Sequence, residues 1–328
     1  MKWSRRNFLQ LSAAAAAVLC AASSRTRAQA YPARPVRVIV PFAAGGQADV
    51  IARLIAQRLS EGLAQQFYVE NAPGGGGTIG TGRAAQASPD GYTILVQDGI
   101  AFTANPSLYV KVPYDAIRDF DPVAIPATTM QVLAVHPSVE ARTVQELVAL
   151  IRANPGKFSY ATAGVGTGAH LTGELFRNSL GLDLVHVPYN SGAQSIGAAV
   201  GGHTPSSFGS PAATIPQVND GKLRALAVGG KIRVRELPDI PTMREAGYPD
   251  VECDAWLVVL LPAGAPRDII ALLHDEIARA IALPQVEARL VALGFEPATA
   301  SADEIGALIK SELPKWAGII RAAGIKAN

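Results

Sequence analysis

The 328-residue chain has only two cysteines. One of them, Cys20, lies in an N-terminal apolar run, which leaves Cys253 alone in the remainder. A lone thiol forms no internal disulfide, so stability must come from packing even in an oxidising compartment. Charge is also sparse, at 17% of residues. No cluster of Lys and Arg stands out beyond the N-terminus, which argues against nucleic acid as a partner. There is no G-x-x-x-x-G-K-[ST] sequence and no G-x-S-x-G elbow, so P-loop and α/β-hydrolase chemistry lack their supports. Ser210, in Phe208-Gly209-Ser210-Pro211, has no legible His–acid partnership. The histidines, at His136, His170, His186, His203 and His274, are scattered without H-x-x-x-H spacing or a cysteine pair, so no metal site is expected. The apolar run from Leu11 to Ala22 falls short of the ~20 residues that span a bilayer.

What is present begins at the N-terminus. Ser4-Arg5-Arg6-Asn7-Phe8-Leu9-Gln10 has a twin-arginine signature, the apolar run follows, and Ala28-Gln29-Ala30 reads as an A-x-A cleavage site. Residues 1–30 are therefore expected to be a signal peptide, directing folded protein to the periplasm by the twin-arginine route. Cys20 follows Ala17-Val18-Leu19, with a bulky leucine where a lipobox needs a small residue, and leaves with the signal. Cleavage takes five bases and no acid. The 29 bases fall to 24 against 27 acids, and net charge moves from +2 to about −3. The 298 residues that remain permit two domains with substantial cores.

Short apolar strands alternate with helical stretches: strand 36–40, helix 50–63, strand 67–70, helix 78–87, strand 92–97. The middle continues with strand 132–136, helix 143–153, strand 159–161, helix 169–180, strand 184–188, helix 192–201 and strand 223–228. This is the pattern of βαβ units on mostly parallel sheets. Thr143-Val144-Gln145-Glu146 and Ser301-Ala302-Asp303-Glu304 read as capping boxes. Residues 251–261 read as a strand, followed by helices at 267–282, 284–293 and 302–323. So many terminal helices need a sheet to cover. The last third is therefore expected to return to the first lobe, with crossings near Thr128–Leu133 and Val251–Trp256. Lobe 1 would hold 31–130 and 254–328, and lobe 2 would hold 131–253. Two domains in series is the alternative.

Two turns carry the functional signal. In Val38-Ile39-Val40-Pro41-Phe42-Ala43-Ala44-Gly45-Gly46-Gln47-Ala48-Asp49 an apolar strand runs through small residues into a helix. Helix N-termini leave N–H groups unpaired and partly positive, and small residues let an anion reach them. Phe158–Leu171 repeats the logic through Ala163-Gly164-Val165-Gly166-Thr167-Gly168. Two such turns far apart in the chain point to two lobes gripping one acidic ligand. Asp49 and His170, each on the first turn of its helix, could touch ligand or only support the turn. Gly75-Gly76-Gly77-Thr78-Ile79-Gly80 satisfies G-x-G-x-x-G, but it follows the second strand and no clear acidic strand end comes later. It reads first as a turn shaped for close backbone approach.

These residues, with Glu70–Gly80, Pro89–Leu95, Asn105–Tyr109, Val187-Pro188-Tyr189, Gly201-Gly202-His203, Gly221–Val228 and Leu237–Thr242, resemble the substrate-binding proteins of the tripartite tricarboxylate transporter family, the Bug-type extracytoplasmic receptors. The resemblance covers nearly the whole chain after residue 30. It implies an α/β, two-lobed, type II periplasmic-binding-protein-like fold with a ligand cleft between lobes. It implies a non-catalytic receptor acting without a cofactor, expected to be a monomer. A di- or tricarboxylate or aromatic acid would be held by backbone amides and passed to a tripartite membrane transporter or a sensor. By position, the site would comprise Phe42, Ala44, Gly45, Gly46, Asp49, Gly99, Ile100, Phe102, Ala163, Gly164, Gly166, Thr167, His170, Tyr189, Gly209 and Ser210. The chain departs from the family pattern at Ala72 and Pro205. A secreted α/β enzyme using the Gly-rich turn for a cofactor is the alternative.

Overall fold

The computed structural model describes residues 31–322 together with 324 and 325. The expected signal peptide and its cleavage site lie outside the described residues. The fold below is that of residues from Pro35 onward, which form one compact unit.

Two sheets organise the chain. The first takes β1 (Val36–Val40), β2 (Phe67–Asn71), β3 (Thr93–Asp98), β4 (Phe120–Met130), β10 (Asp254–Pro262) and β11 (Glu296–Pro297), in the order β11-β4-β10-β3-β1-β2. The second takes β5 (Val132–Val135), β6 (Phe158–Thr162), β7 (Leu184–Pro188), β8 (Ser206–Gly209) and β9 (Arg224–Val228), in the order β7-β6-β8-β5-β9. Each sheet is mixed. β1 is parallel to β2 and β3, and β6 is parallel to β7 and β8, whereas β10 and β5 run against their neighbours. The chain passes from the first sheet to the second through the single residue Gln131. It returns at Cys253–Asp254. The two passages are bonded to each other: Gly229 N–H donates to Gln131 O at 2.8 Å, and Cys253 N–H to Gly229 O at 2.6 Å.

Helices cover both sheets. α1 (Gln47–Leu63), α2 (Thr78–Ala85) and α3 (Gly99–Leu108) follow β1, β2 and β3; α8 (Arg267–Ile281), α9 (Pro284–Ala292) and α10 (Ala302–Ala322) come from the end of the chain. α4 (Val144–Ala153), α5 (Gly168–Ser179), α6 (Gly192–Val200) and α7 (Pro211–Asn219) belong to the second sheet's half. Helical spacing explains their docking. α1 buries Ile51, Ala52, Ile55, Ala56 and Leu59 on one face, where each large aliphatic side chain contributes about 1.5–3 kcal/mol. Both capping boxes form: Glu146 N–H donates to Thr143 Oγ1 at 3.1 Å, and Ser301 N–H to Glu304 Oε2 at 2.8 Å. In the first box Glu146 reaches one residue further back, to Arg142 N–H.

The strands and helices expected from sequence do not include α3, β4, β8, α7 and β11, and two of these, β4 and α7, carry prolines that explain it. β4 carries Pro122 and Pro126, which cannot donate to a ladder. It is tolerated because its outer flank pairs only with two-residue β11, and its pairing with β10 shifts register near Val259. α7 carries Pro211 at its first position, where the missing N–H costs nothing, and Pro216 further in.

Beneath β6 and α5 lies a buried polar cluster. Tyr160 Oη donates to Glu174 Oε1 at 2.7 Å, and Arg177 bonds the other Glu174 oxygen. The His170 and His186 rings stand 4.3 Å apart, and Thr162 Oγ1 is 2.7 Å from His186 Nε2. Burial pushes His170 down to about 4 and His186 to about 3. The unfolded chain, with imidazoles near 6.5, binds protons that the fold refuses. Stability from these rings is complete above that value and falls as pH drops toward 4. Going from pH 7 to pH 5 is expected to cost about 2 kcal/mol through His170. Urea melts at the two pH values check this: His170→Gln, which keeps an acceptor on the ring's side, should lose measurably less than the parent protein.

Candidate functional site

Four helix starts from the two sheets open on one cleft. β1 feeds the first through Pro41–Gly46. Gly45, at φ +81°, makes the turn. Its N–H donates to Asp49 Oδ2 at 2.9 Å, Arg53 Nε donates to the same oxygen at 2.9 Å, and Asn71 Nδ2 donates to Oδ1 at 2.9 Å. Burial pushes the Asp49 carboxyl up, but the bonds from Arg53, Gly45 and Asn71 outweigh it and hold it below the ordinary range. Asp49 is thus spent on shaping the turn. The amides of Ala43, Ala44, Gln47 and Ala48 make no hydrogen bond among the described residues.

The second start follows β6. Gly164 N–H donates to Thr162 Oγ1 at 3.2 Å, and Thr167 Oγ1 donates to Gly164 O at 2.7 Å. The same Thr167 oxygen caps α5 by accepting His170 N–H. Gly166 N–H donates to His170 Nδ1 at 3.2 Å, so His170 braces this turn as Asp49 braces the first. Ser191 caps α6 by accepting Gln194 N–H at 3.2 Å. Ser210 starts α7 with no side-chain capping bond. Among the described residues, no side chain lining the cleft is ionisable; neutral Gln47, Gln131, Asn190 and Ser195 join the small residues, with Phe42 and Phe208 as aromatic walls.

The site residues expected from sequence divide. Phe42, Gly46, Ala163, Thr167, Gly209 and Ser210 come together in the cleft. Gly164 and Tyr189 line an adjoining groove that shares Phe42, Ala163 and Thr167. Ala44 and Gly45 are exposed beside the cleft, and the Gly45 amide is already used. Gly166 sits against Asn105 and Tyr109. Gly99, Ile100 and Phe102 are not among the residues that line the cleft. A Cβ on Gly99 would fall 2.2 Å from the Trp256 ring, so glycine there admits the indole. Ile100 and Phe102 are fully buried, with Phe102 5.5 Å from both Tyr114 and Phe120. The first turn of α3 faces the core because Asp98 caps it from below, accepting Ala101 N–H at 3.0 Å. Sequence reading missed Gln47, Gln131, Asn190, Ser191, Gly192 and Ser195. The Ser191-Gly192 pair before a helix was a readable cap signal; Gln131 enters only through the crossing.

The Gly-rich turn is occupied by protein. Asn105 Nδ2 donates to Gly76 O at 2.8 Å, and a Cβ on Gly76 would fall 2.5 Å from Val165 O across the cleft. Tyr109 Oη donates to Val165 O at 3.3 Å. The glycines thus allow one half of the molecule to touch the other.

Asp49→Ala removes the acceptor for three donors at a 2% exposed position. It is expected to cost about 2–4 kcal/mol of unfolding free energy, measured by denaturant titration, with Arg53→Ala, at an exposed partner, costing clearly less.

The family model described as the tripartite tricarboxylate transporter family receptor matches residues 51–325. BugT of Bordetella pertussis is 34% identical over 300 residues, covering 91% of this chain and 92% of that protein. A solved R. palustris protein with adipate superposes with a TM-score of 0.86 at 31% identity, covering 90% and 99% of the two chains. MatC from Rhodopseudomonas palustris with bound malate gives 0.84 at 29%, covering 88% and 100%. The reading as a secreted enzyme is set aside, because these relatives are solute-binding receptors. The chain belongs to the tripartite tricarboxylate transporter family of receptors.

Proposed function

We propose that the protein is a periplasmic receptor that binds a small carboxylate in the cleft through backbone amides and delivers it to a tripartite membrane transporter or a sensor. One observation carries the reading: first turns of helices from both sheets open on a cleft whose lining holds no ionisable side chain. Unpaired helix N–H groups suit an anion, and a charge-assisted bond to each is stronger than a neutral one. First turns on opposite walls suit an acid with two carboxylates, in keeping with the adipate and malate held by relatives. Export by the twin-arginine route belongs to the same proposal.

The two halves, 31–130 with 254–328 and 131–253, act as lobes that close on the ligand. Motion is confined to Gln131 and to the return near Cys253, the two passages between the sheets. Closure is favoured by ligand contacts made only when both walls approach. The Tyr109–Val165 bond and the Gly76 contact then act as a latch at the cleft's edge.

Calorimetry with a panel of small acids tests the binding. A di- or tricarboxylate should bind without turnover. Gly192→Leu should abolish binding without unfolding the protein, since a Cβ there meets nothing within 4 Å and the backbone needs no positive φ. Undiminished affinity in that variant places the ligand elsewhere. Small-angle scattering tests closure: saturating ligand should lower the radius of gyration. Gly76→Ala, whose Cβ would fall 2.5 Å from Val165 O, should reduce that compaction. An unchanged curve on tight binding points to a rigid pocket.

A further inference from the structure

The polar side chains around the cleft differ in what they can offer a ligand. Ser191 and Ser210 carry hydroxyls whose protons make no bond among the described residues, whereas the Thr167 hydroxyl already donates to Gly164 O. The side-chain amides of Gln131 and Asn190 make no hydrogen bond among the described residues, so either end can face a ligand. Gln47 is different. Its Nε2 donates to Asp98 Oδ2 at 2.8 Å, which fixes the amide. Asp98 is itself anchored, since its other oxygen accepts Ala101 N–H and its own N–H donates to Gln97 Oε1 at 2.9 Å. Gln97 Nε2 in turn donates to Thr81 Oγ1 at 2.8 Å. The chain of bonds leaves Gln47 Oε1 shut from solvent and without a partner. A carbonyl oxygen in that state can only accept, and leaving it unsatisfied is costly. Gln47 stands at the cleft wall and is the first residue of α1. Its oxygen therefore lies within one side chain's length of the unpaired amides at that helix start.

We propose that Gln47 is a specificity residue: its Oε1 accepts a hydrogen bond from a hydroxyl on the carbon next to a carboxylate held at the start of α1. The cleft then selects hydroxylated acids over their unsubstituted counterparts. The inference rests on the carboxylate-receptor reading above. A hydroxyl fits better than an ammonium, because a neutral oxygen satisfies one O–H, whereas a cation would find no ionisable partner in the cleft lining. Asp98 is fully occupied behind Gln47.

The test is calorimetry with matched pairs, malate against succinate and lactate against propionate. The parent protein should favour the hydroxylated member of a bound pair by about tenfold or more, the scale of one buried acceptor satisfied or not. Gln47→Met keeps the side-chain length and removes the acceptor; the ratio of affinities within each pair should fall to about twofold or less, whatever the change in absolute affinity. Asp98→Asn, which no longer imposes the amide's direction, should shrink the preference with binding retained, and reports independently if the first variant folds poorly. Equal affinities in the parent protein, a preference that survives in Gln47→Met, or aspartate binding more tightly than malate would each overturn the role of Gln47 and leave the receptor reading standing. Failure of every acid in the panel to bind would overturn both.

Discussion

Every helix begins with N–H groups that the helix itself cannot satisfy. In this molecule that constraint organises the centre. The starts of α1, α5, α6 and α7 open on one cleft, and the residues around them hold those turns in shape while leaving amides unbonded. The braces are side chains behind the turns. Asp49 takes three donors behind the first, and His170 with Thr167 and Thr162 does the same behind the second. Asp49 and His170 are both buried. The carboxylate of Asp49 stays charged because Arg53, Gly45 and Asn71 offset its burial. His170 stays neutral because burial excludes its cation.

The connections between the two sheets are short and lie side by side. Gln131 is the whole of the first passage, and Gly229 and Cys253 bond it to the second. Cys253 lies at this junction, buried, with its thiol pushed up to about 12 by burial. It is a packing residue, with no second thiol among the described residues.

Glycine does different things at each of its clusters, and the difference is spatial. Gly45 supplies a left-handed turn with open space around it, and Gly99 makes room for Trp256. Gly80 lets α2 lie against Pro41 and the Ala72 carbonyl, where a Cβ would fall within 2.8 Å. Gly76 lets opposite walls meet at Val165. The run that satisfies the dinucleotide fingerprint is thus used for contact within the protein. Asp98, the nearest acid downstream, caps α3 and orients Gln47.

The sequence by itself determined the alternation of strands and helices, the two capping boxes, the two small-residue turns and the family. All of these depend on short-range physics: apolar periodicity, cap chemistry and the conformational freedom of glycine. The terminal strands β10 and β11 join the first sheet. The sequence did not determine β4, whose prolines are permitted only by a nearly vacant flank, or the core-facing fate of Gly99, Ile100 and Phe102. Nor did it reveal that the Gly45 amide is consumed by Asp49, or that Gln47, Gln131 and Ser195 share a wall with residues far from them in sequence. Which side of a helix start faces ligand, and which amide is already bonded, depend on partners brought from other elements. Only the tertiary structure decides them, because a hydrogen bond between Gln47 and Asp98 has no trace in the fifty residues that separate them.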